Sequence, residues 1–206
     1  MTTTVSHVCL PFALTPSEGS DWSLESTGLS VTADPHSDIF IDPGEGGQLN
    51  AESLLNAVTL LGVPPAGDFQ FRARVTVDFA SSFDAGVLLL WFSERRWAKL
   101  CFEFSPDGQP MVVSVVNRDV ADDANAFPVD AGSVWLRVSR IDRVWAFHAS
   151  LDGTRWRKIR VFVLDGGEDE ARVGFEAQSP TGEGCAVRFD DIRFDGTRLS
   201  DLRDGS

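Results

Sequence analysis

The stretch RRWAKLCFEF, Arg95 to Phe104, sets a lysine and a glutamate among bulky apolar residues. In an extended chain successive side chains point to opposite faces. Ala98, Leu100, Phe102 and Phe104 then share one face, and Trp97, Lys99, Cys101 and Glu103 share the other. The first face reads as core. The second joins an indole, a cation, a thiol and an acid, which suits neither a plain core nor a solvated surface. What that face touches is the question the fold has to answer. At roughly 3.3 Å of rise per residue, Lys99 and Glu103 stand about 13 Å apart along the strand. They are too distant to pair with each other, so each needs a partner from a neighbouring strand or a ligand; Asp38, Asp84, Arg118, Arg137 and His148 are the groups that neighbouring strands could supply.

The flanking sequence continues the pattern. GVLLLWF (Gly86 to Phe92) is unbroken apolar chain, as expected of a strand covered on both faces, and PMVVSVVN (Pro110 to Asn117) follows the turn SPDG. FQFRARVTVDF (Phe69 to Phe79) alternates cleanly, with Phe71, Ala73, Val75 and Val77 on a dry side and Arg72, Arg74 and Thr76 on a wet one. SVWLRVSRIDRVWAFHASLDGTRWRKI predicts a hairpin around Ile141 to Arg143 and a second turn at Leu151 to Thr154, leading into a strand from Trp156 to Val163. ARVGFEAQ and CAVRFDDIRFDG supply two later strands. Seven or more strands at about 8 to 12 residue spacing imply a sandwich or barrel and exclude an α/β layout. The run Ala51 to Gly62 is short and apolar and suits a helix or a strand equally. Asn117 to Asp130 and Gln178 to Gly184, rich in Asp, Pro, Gly and Ser, read as long rim loops, where ligands usually meet a sandwich.

With 43% hydrophobic residues in 206, the chain can bury a substantial core, and it reads as a single domain over 1–206 with flexible ends at about 1–8 and 200–206. The 31 acids against 18 bases give a net charge of −13, which repels nucleic acid and anionic membranes and argues against both as partners. Cys9, Cys101 and Cys185 are widely spaced with no C-x-x-C, which fits reduced thiols in a cytoplasmic protein rather than a disulfide framework or a zinc site. The first residues, MTTTVSHVCLPFALTPSEG, have neither the basic start nor the apolar run of an export signal. His7, His36 and His148 lack metal-ligand spacing, and no calcium loop, P-loop, dinucleotide fingerprint or G-x-S-x-G is present, so no metal or cofactor is expected. Six tryptophans and no tyrosine are unusual; Trp97, Trp135 and Trp91 are the ones to watch for ligand stacking, while Trp145 and Trp156 read as core.

Taken in order, Ser37-Asp38-Ile39-Phe40, Ala85-Gly86-Val87-Leu88, Trp97-Ala-Lys99 with Glu103, Ser114-Val-Val-Asn117 followed by Asp122, and Gln178-Ser179-Pro180 resemble the motifs of the regulation-of-enolase proteins. That family of unknown function belongs to the concanavalin A-like superfamily. The chain departs from the family pattern at Phe83, Asp84, Cys101 and Asp123. The resemblance implies an all-β jelly roll of two curved antiparallel sheets whose concave face, in related lectins and glucanases, holds sugars.

Together these readings predict non-catalytic binding of a carbohydrate or sugar-like metabolite, with Trp97 as stacking platform and Lys99, Glu103 and Asp38 as polar anchors; Asp84, Arg118, Arg137 and His148 complete the expected site. The alternatives are a glycosidase-like enzyme using Glu103 as acid or base with a carboxylate from another strand, Asp38 or Asp84, and a protein that regulates a metabolic enzyme by contact. Hydrolysis would need the two carboxyl groups roughly 5.5 Å or 6.5–9.5 Å apart. The sequence leaves the oligomeric state open.

Overall fold

A computed structural model describes residues 4–44, 53–167 and 170–206. Strand-forming alternation is realised along almost the whole chain, and no helix forms among the described residues. In chain order the strands are β1 (Thr15–Pro16), β2 (Ser23–Glu25), β3 (Gly28–Thr32), β4 (Ile39–Phe40), β5 (Leu54–Leu55), β6 (Val58–Gly62), β7 (Phe69–Val77) and β8 (Ala85–Ser93). They continue with β9 (Arg96–Phe104), β10 (Pro110–Arg118), β11 (Val120–Pro128), β12 (Ser133–Ile141), β13 (Val144–Ser150), β14 (Arg157–Val163), β15 (Arg172–Gln178) and β16 (Ala186–Asp195). They form two large antiparallel sheets, the expected all-β jelly-roll sandwich. The first runs β1-β6-β15-β8-β9-β10-β11, the second β14-β13-β12-β7-β16-β3-β2, and β4 and β5 make a small separate ribbon.

The core lies between the sheets and is built by the period-two rule. Leu88 and Leu90 of β8, Ala98, Leu100 and Phe102 of β9 and Phe175 of β15 face Phe69, Phe71 and Val75 of β7, Leu136 and Val138 of β12 and Phe189 of β16. Phe175 meets Phe71 edge-on at 5.3 Å and Phe189 at 4.8 Å, which locks the two layers together at their middle. Gly86 sits where the layers approach most closely; a Cβ there would meet Val75 and Val187 at 2.5 and 2.7 Å. Trp145 is in this core, as read from the sequence, but Trp156 is not: it lies half-buried on the outer face of the second sheet beneath Arg137.

The stretch expected to be a loop, Asn117 to Asp130, is instead strand β11, joined to β10 by a tight turn at Asp119 with φ of 71°. Its sequence, VADDANAFP, carries little alternation because an edge strand exposed along most of its length is held by backbone hydrogen bonds rather than by side-chain burial. Residues 54–55 and 58–62 of the ambiguous Ala51 to Gly62 run are strands, and residues 51–52 lie outside the described residues, as does most of the Gly44 to Gly47 stretch. The segment Leu199–Ser206 folds back on itself, with Ser200 N and Asp201 N both donating to Ser206 O, and packs against the second sheet.

Candidate functional site

The face of β9 that carries Trp97, Lys99, Cys101 and Glu103 is the outer face of the first sheet, and it is largely dry. The chain from Asp38 to Ile41 crosses above it. Ile39 packs with Val87, Leu89, Trp97, Cys101, Val113, Val115 and Ala121 into a second apolar cluster, and Ala121 N donates to Ile41 O at 2.9 Å. Trp97 is therefore wholly buried, its indole N–H spent on Glu94 O at 3.2 Å, so it cannot be the stacking platform expected of it.

Lys99 lies in the same cover. Its ammonium donates to Asp38 Oδ1 and to Gln178 Oε1, both at 2.8 Å, and stands 3.8 Å from Glu176 Oε1. Register explains the reach. β15 and β9 flank β8, so Glu176 and Gln178 stand opposite Val87 and Ala85, whose small side chains let the lysine extend across them. Asp38 is held in turn by Asn56, which accepts from Asp38 N at 3.0 Å, while Asn56 N donates to Asp38 O at 2.9 Å. The Gln178 amide is oriented by donating to Phe83 O at 3.1 Å. Sequence reasoning placed Asp38 among the possible partners of Lys99. It did not connect Glu176 or Gln178 with the lysine, although ARVGFEAQ puts both on the non-core side of its alternation and Gln178 stands in a motif of the resemblance; only the strand order β15-β8-β9 reveals that they face the lysine.

The electrostatics of this group are unusual for its burial. Desolvation alone would depress Lys99, but Asp38 and Glu176 hold its pKa above the ordinary lysine value. Glu176 is fully buried, and neither carboxyl oxygen has a hydrogen-bond partner among the described residues. Burial pushes it up to about 8 against the pull of Lys99, with Asp38 and Glu103 adding repulsion. Glu103, half-buried at the open end of the same face and without a hydrogen bond of its own among the described residues, is likewise raised to about 8 by burial, with Asp38 and Asp123 adding to the rise. Both glutamates therefore hold their protons more tightly than an ordinary carboxyl, and Asp38, hydrogen-bonded at 2.8 Å, is the first partner of the Lys99 charge. Cys101, beneath them, is pushed well above the usual thiol range by desolvation.

The remaining expected residues lie elsewhere. Asp84 is buried next to this face but works within the protein: Ala80 N and Ser81 N donate to its Oδ2 at 2.8 Å, and Ser179 Oγ donates to Oδ1 at 2.6 Å. Those bonds hold the turn before β8 and tie it to Ser179, leaving no part of the carboxylate for a ligand. Arg118, at the end of β10, is exposed and donates to Val163 O at 2.8 Å, linking β10 to β14, the edge strand of the second sheet. Arg137 and His148 stand opposite each other on β12 and β13, on the outer face of the second sheet, separated from Lys99 by the whole core. Phe83, noted in the sequence only as a departure from the family pattern, is left 38% exposed with φ of 70°, and its N donates to Phe104 O beside Glu103. A bulky residue held in the left-handed region is strained, and such strain is concentrated at functional positions.

Two seven-stranded antiparallel sheets packed face to face over one core define a β-sandwich. The chain belongs to the DUF1349 family of proteins of unknown function, which it matches over residues 16–197. An Escherichia coli (strain K12) protein named "Putative beta-xylosidase" is 26% identical over 142 residues, covering 59% of this chain and 26% of that protein, so the chain spans about a quarter of this curated relative. Among solved structures, a functionally unknown protein from Saccharomyces cerevisiae superposes with a TM-score of 0.72 at 21% identity, covering 86% of this chain and 92% of the other. A K247S mutant of the GH43 protein BlXynB from Bacillus licheniformis also gives 0.72, at 14% identity, covering 95% of this chain but 38% of that one. The carbohydrate-binding module CBM66 from Bacillus subtilis gives 0.57 at 12% identity, with 92% and 98% covered. At these identities the solved structures establish the fold.

Proposed function

We propose that the chain binds a carbohydrate without transforming it, at the open end of the outer face of the first sheet, where Glu103 meets the Asp38–Lys99–Gln178 network. The observation that carries this reading is the Glu103 carboxyl, partly accessible and without a hydrogen-bond partner among the described residues, set across Ala85 from Gln178 of the buried polar network. A protonated or ionised carboxyl beside fixed polar groups suits sugar hydroxyls, which need both donors and acceptors. In this arrangement Lys99 is not a ligand contact. It is the internal cation that fixes the orientation of Asp38 and Gln178, and the exposed Phe83 ring replaces Trp97 as the apolar surface for a sugar ring. The likeness of fold to CBM66 and to part of a GH43 protein supports the choice of ligand class. Titration calorimetry against a panel of xylo-oligosaccharides and other neutral oligosaccharides tests it. The expected result is binding by wild type that weakens at least tenfold in Glu103→Gln and in Phe83→Ala; no binding by wild type, or equal binding by all three proteins, overturns the site.

One observation favours a catalytic variant of the same reading. A glutamate raised to about 8 is protonated at neutral pH and can serve as a general acid. Release of nitrophenol from aryl xylosides by wild type and not by Glu103→Gln would establish it.

A further inference from the structure

The outer face of the second sheet carries a feature that the sugar reading does not use. Cross-strand register lines up Arg193 of β16, Arg72 of β7, Arg137 of β12, His148 of β13 and Lys158 of β14 as one row of basic residues across five adjacent strands. Like charges placed opposite one another on a sheet repel, and this row occurs in a chain of net charge −13. Asp191, thrown outward by the bulge in β16, answers Arg193 at 3.0 Å and Arg72 at 3.6 Å. No carboxylate among the described residues forms an ion pair with Arg137 or Lys158.

Arg137 is the anomaly. It is 4% exposed, its guanidinium lies 4.2 Å above the Trp156 ring, and its Nε makes no hydrogen bond; Ser139 Oγ and His148 Nδ1 beside it, both fully buried, are also unpartnered. A buried cation is ordinarily paired. Burial and the neighbouring Arg72 instead draw Arg137 down to about 10, and burial holds His148 at about 4, so the imidazole is neutral and its Nε2–H is a donor. Arg137 Nη1 donates to the neutral Gln70 Oε1 at 3.1 Å, and the other donors that the row turns toward the C-terminal segment are met by backbone carbonyls rather than by a charge. Arg137 Nη2 donates to Gly205 O at 2.6 Å, and His148 Nε2 to Leu202 O at 2.8 Å. The same segment brings a negative charge near the row: the Asp204 carboxylate, which accepts from Ser206 N at 2.9 Å, raises the imidazole against its burial.

We propose that Arg137, His148, Ser139 and Lys158 form a binding site for a small oxyanion, a carboxylate or a phosphate, and that the segment Leu199–Ser206 occupies it as an internal stand-in. The guanidinium fork and the imidazole N–H converge where the segment's carbonyls now sit, and a charged oxygen accepts more strongly there than a peptide carbonyl does. Gly205 is what lets the segment lie so close. Its φ is 78°, and a Cβ would meet Arg137 Nη2 at 2.6 Å and Trp156 Cβ at 2.8 Å.

Gly205→Val in the full chain therefore displaces the segment without altering the row, and Asp204→Asn, which removes the segment's nearby charge, is the milder change. Calorimetric titration at pH 7 and low salt with inorganic phosphate, and separately with acetate, is expected to show at least tenfold tighter binding of one or both anions by Gly205→Val than by wild type, and a smaller gain in Asp204→Asn. Adding Arg137→Gln to Gly205→Val is expected to abolish the gain, and Lys158→Gln, an exposed change, to reduce it several-fold. Which anion binds more tightly distinguishes a phosphate ligand from a carboxylate. Unchanged affinity in both segment variants, or a gain that survives Arg137→Gln, would overturn the site. The sugar titration reads the opposite sheet, so either proposal can fail alone.

Discussion

At the residue scale the chemistry turns on one lysine and the acids around it. Lys99 is buried, and its charge is tolerable because Asp38 and Gln178 take two of its three donors. Lys99→Met leaves the Asp38 carboxylate without its cation and Gln178 Oε1 without its donor, and should cost about 3 kcal/mol or more in urea unfolding; a loss under about 1 kcal/mol would mean that the network is solvated. Glu176 makes the reverse prediction. Its folded pKa of about 8 lies above the ordinary value of 4.5, so between those pH values the native state holds a proton that the unfolded chain releases. Its contribution is complete below about pH 4.5 and is lost as pH rises toward 8, at up to about 1.4 kcal/mol per pH unit. Glu103 adds in the same direction. Urea midpoints should therefore fall from pH 5 to pH 8. Glu176→Gln, which cannot ionise, should flatten that fall and stabilise the protein at pH 8; an identical slope in the variant would show that Glu176 titrates normally.

At the scale of the element, β8 is placed by the two groups that flank its start. Asp84 gathers two backbone N–H groups and the Ser179 hydroxyl, so Asp84→Ala should cost about 2–4 kcal/mol in chemical denaturation by leaving buried donors unmet; a cost near zero would show that the turn is held by something else. Gly86→Val should be as damaging, since its methyl groups have no room between β7 and β16, and Tm should drop by several degrees. These elements also show what sequence can and cannot disclose. β7 was legible because every second residue faces one core, and β9 because its two faces differ so sharply in chemistry. β11 was not, since an exposed edge strand leaves no apolar period to read. Asp38 could be named as a partner of Lys99, whereas Glu176 and Gln178 could not, because strand adjacency across β15-β8-β9 is a property of topology rather than of local pattern. Trp97 misled for a related reason: its face was recognised as distinct, but the cover provided by residues 38–41 comes from sixty positions away.

At the scale of the molecule the two outer faces are chemically opposed, and one core has to hold both in place. The first sheet presents acids around a buried cation, the second a row of bases, and the aromatic seam of Phe71, Phe175 and Phe189 joins them. Because that seam draws residues from both sheets into one continuous cluster, neither layer keeps its apolar face covered without the other. The protein should accordingly unfold in a single transition. Phe175→Ala removes the ring at the crossing, and should cost about 3–5 kcal/mol and lower Tm by roughly 10 °C. The decisive measurement is coincidence. Tryptophan fluorescence reports Trp97 on the first sheet and Trp135 and Trp156 on the second, while far-UV circular dichroism reports strands of both. In wild type and in Phe175→Ala the two signals should shift together. Curves that separate in the variant would show that one sheet survives the loss of the seam, and that the faces are held by their own contacts rather than by the shared core.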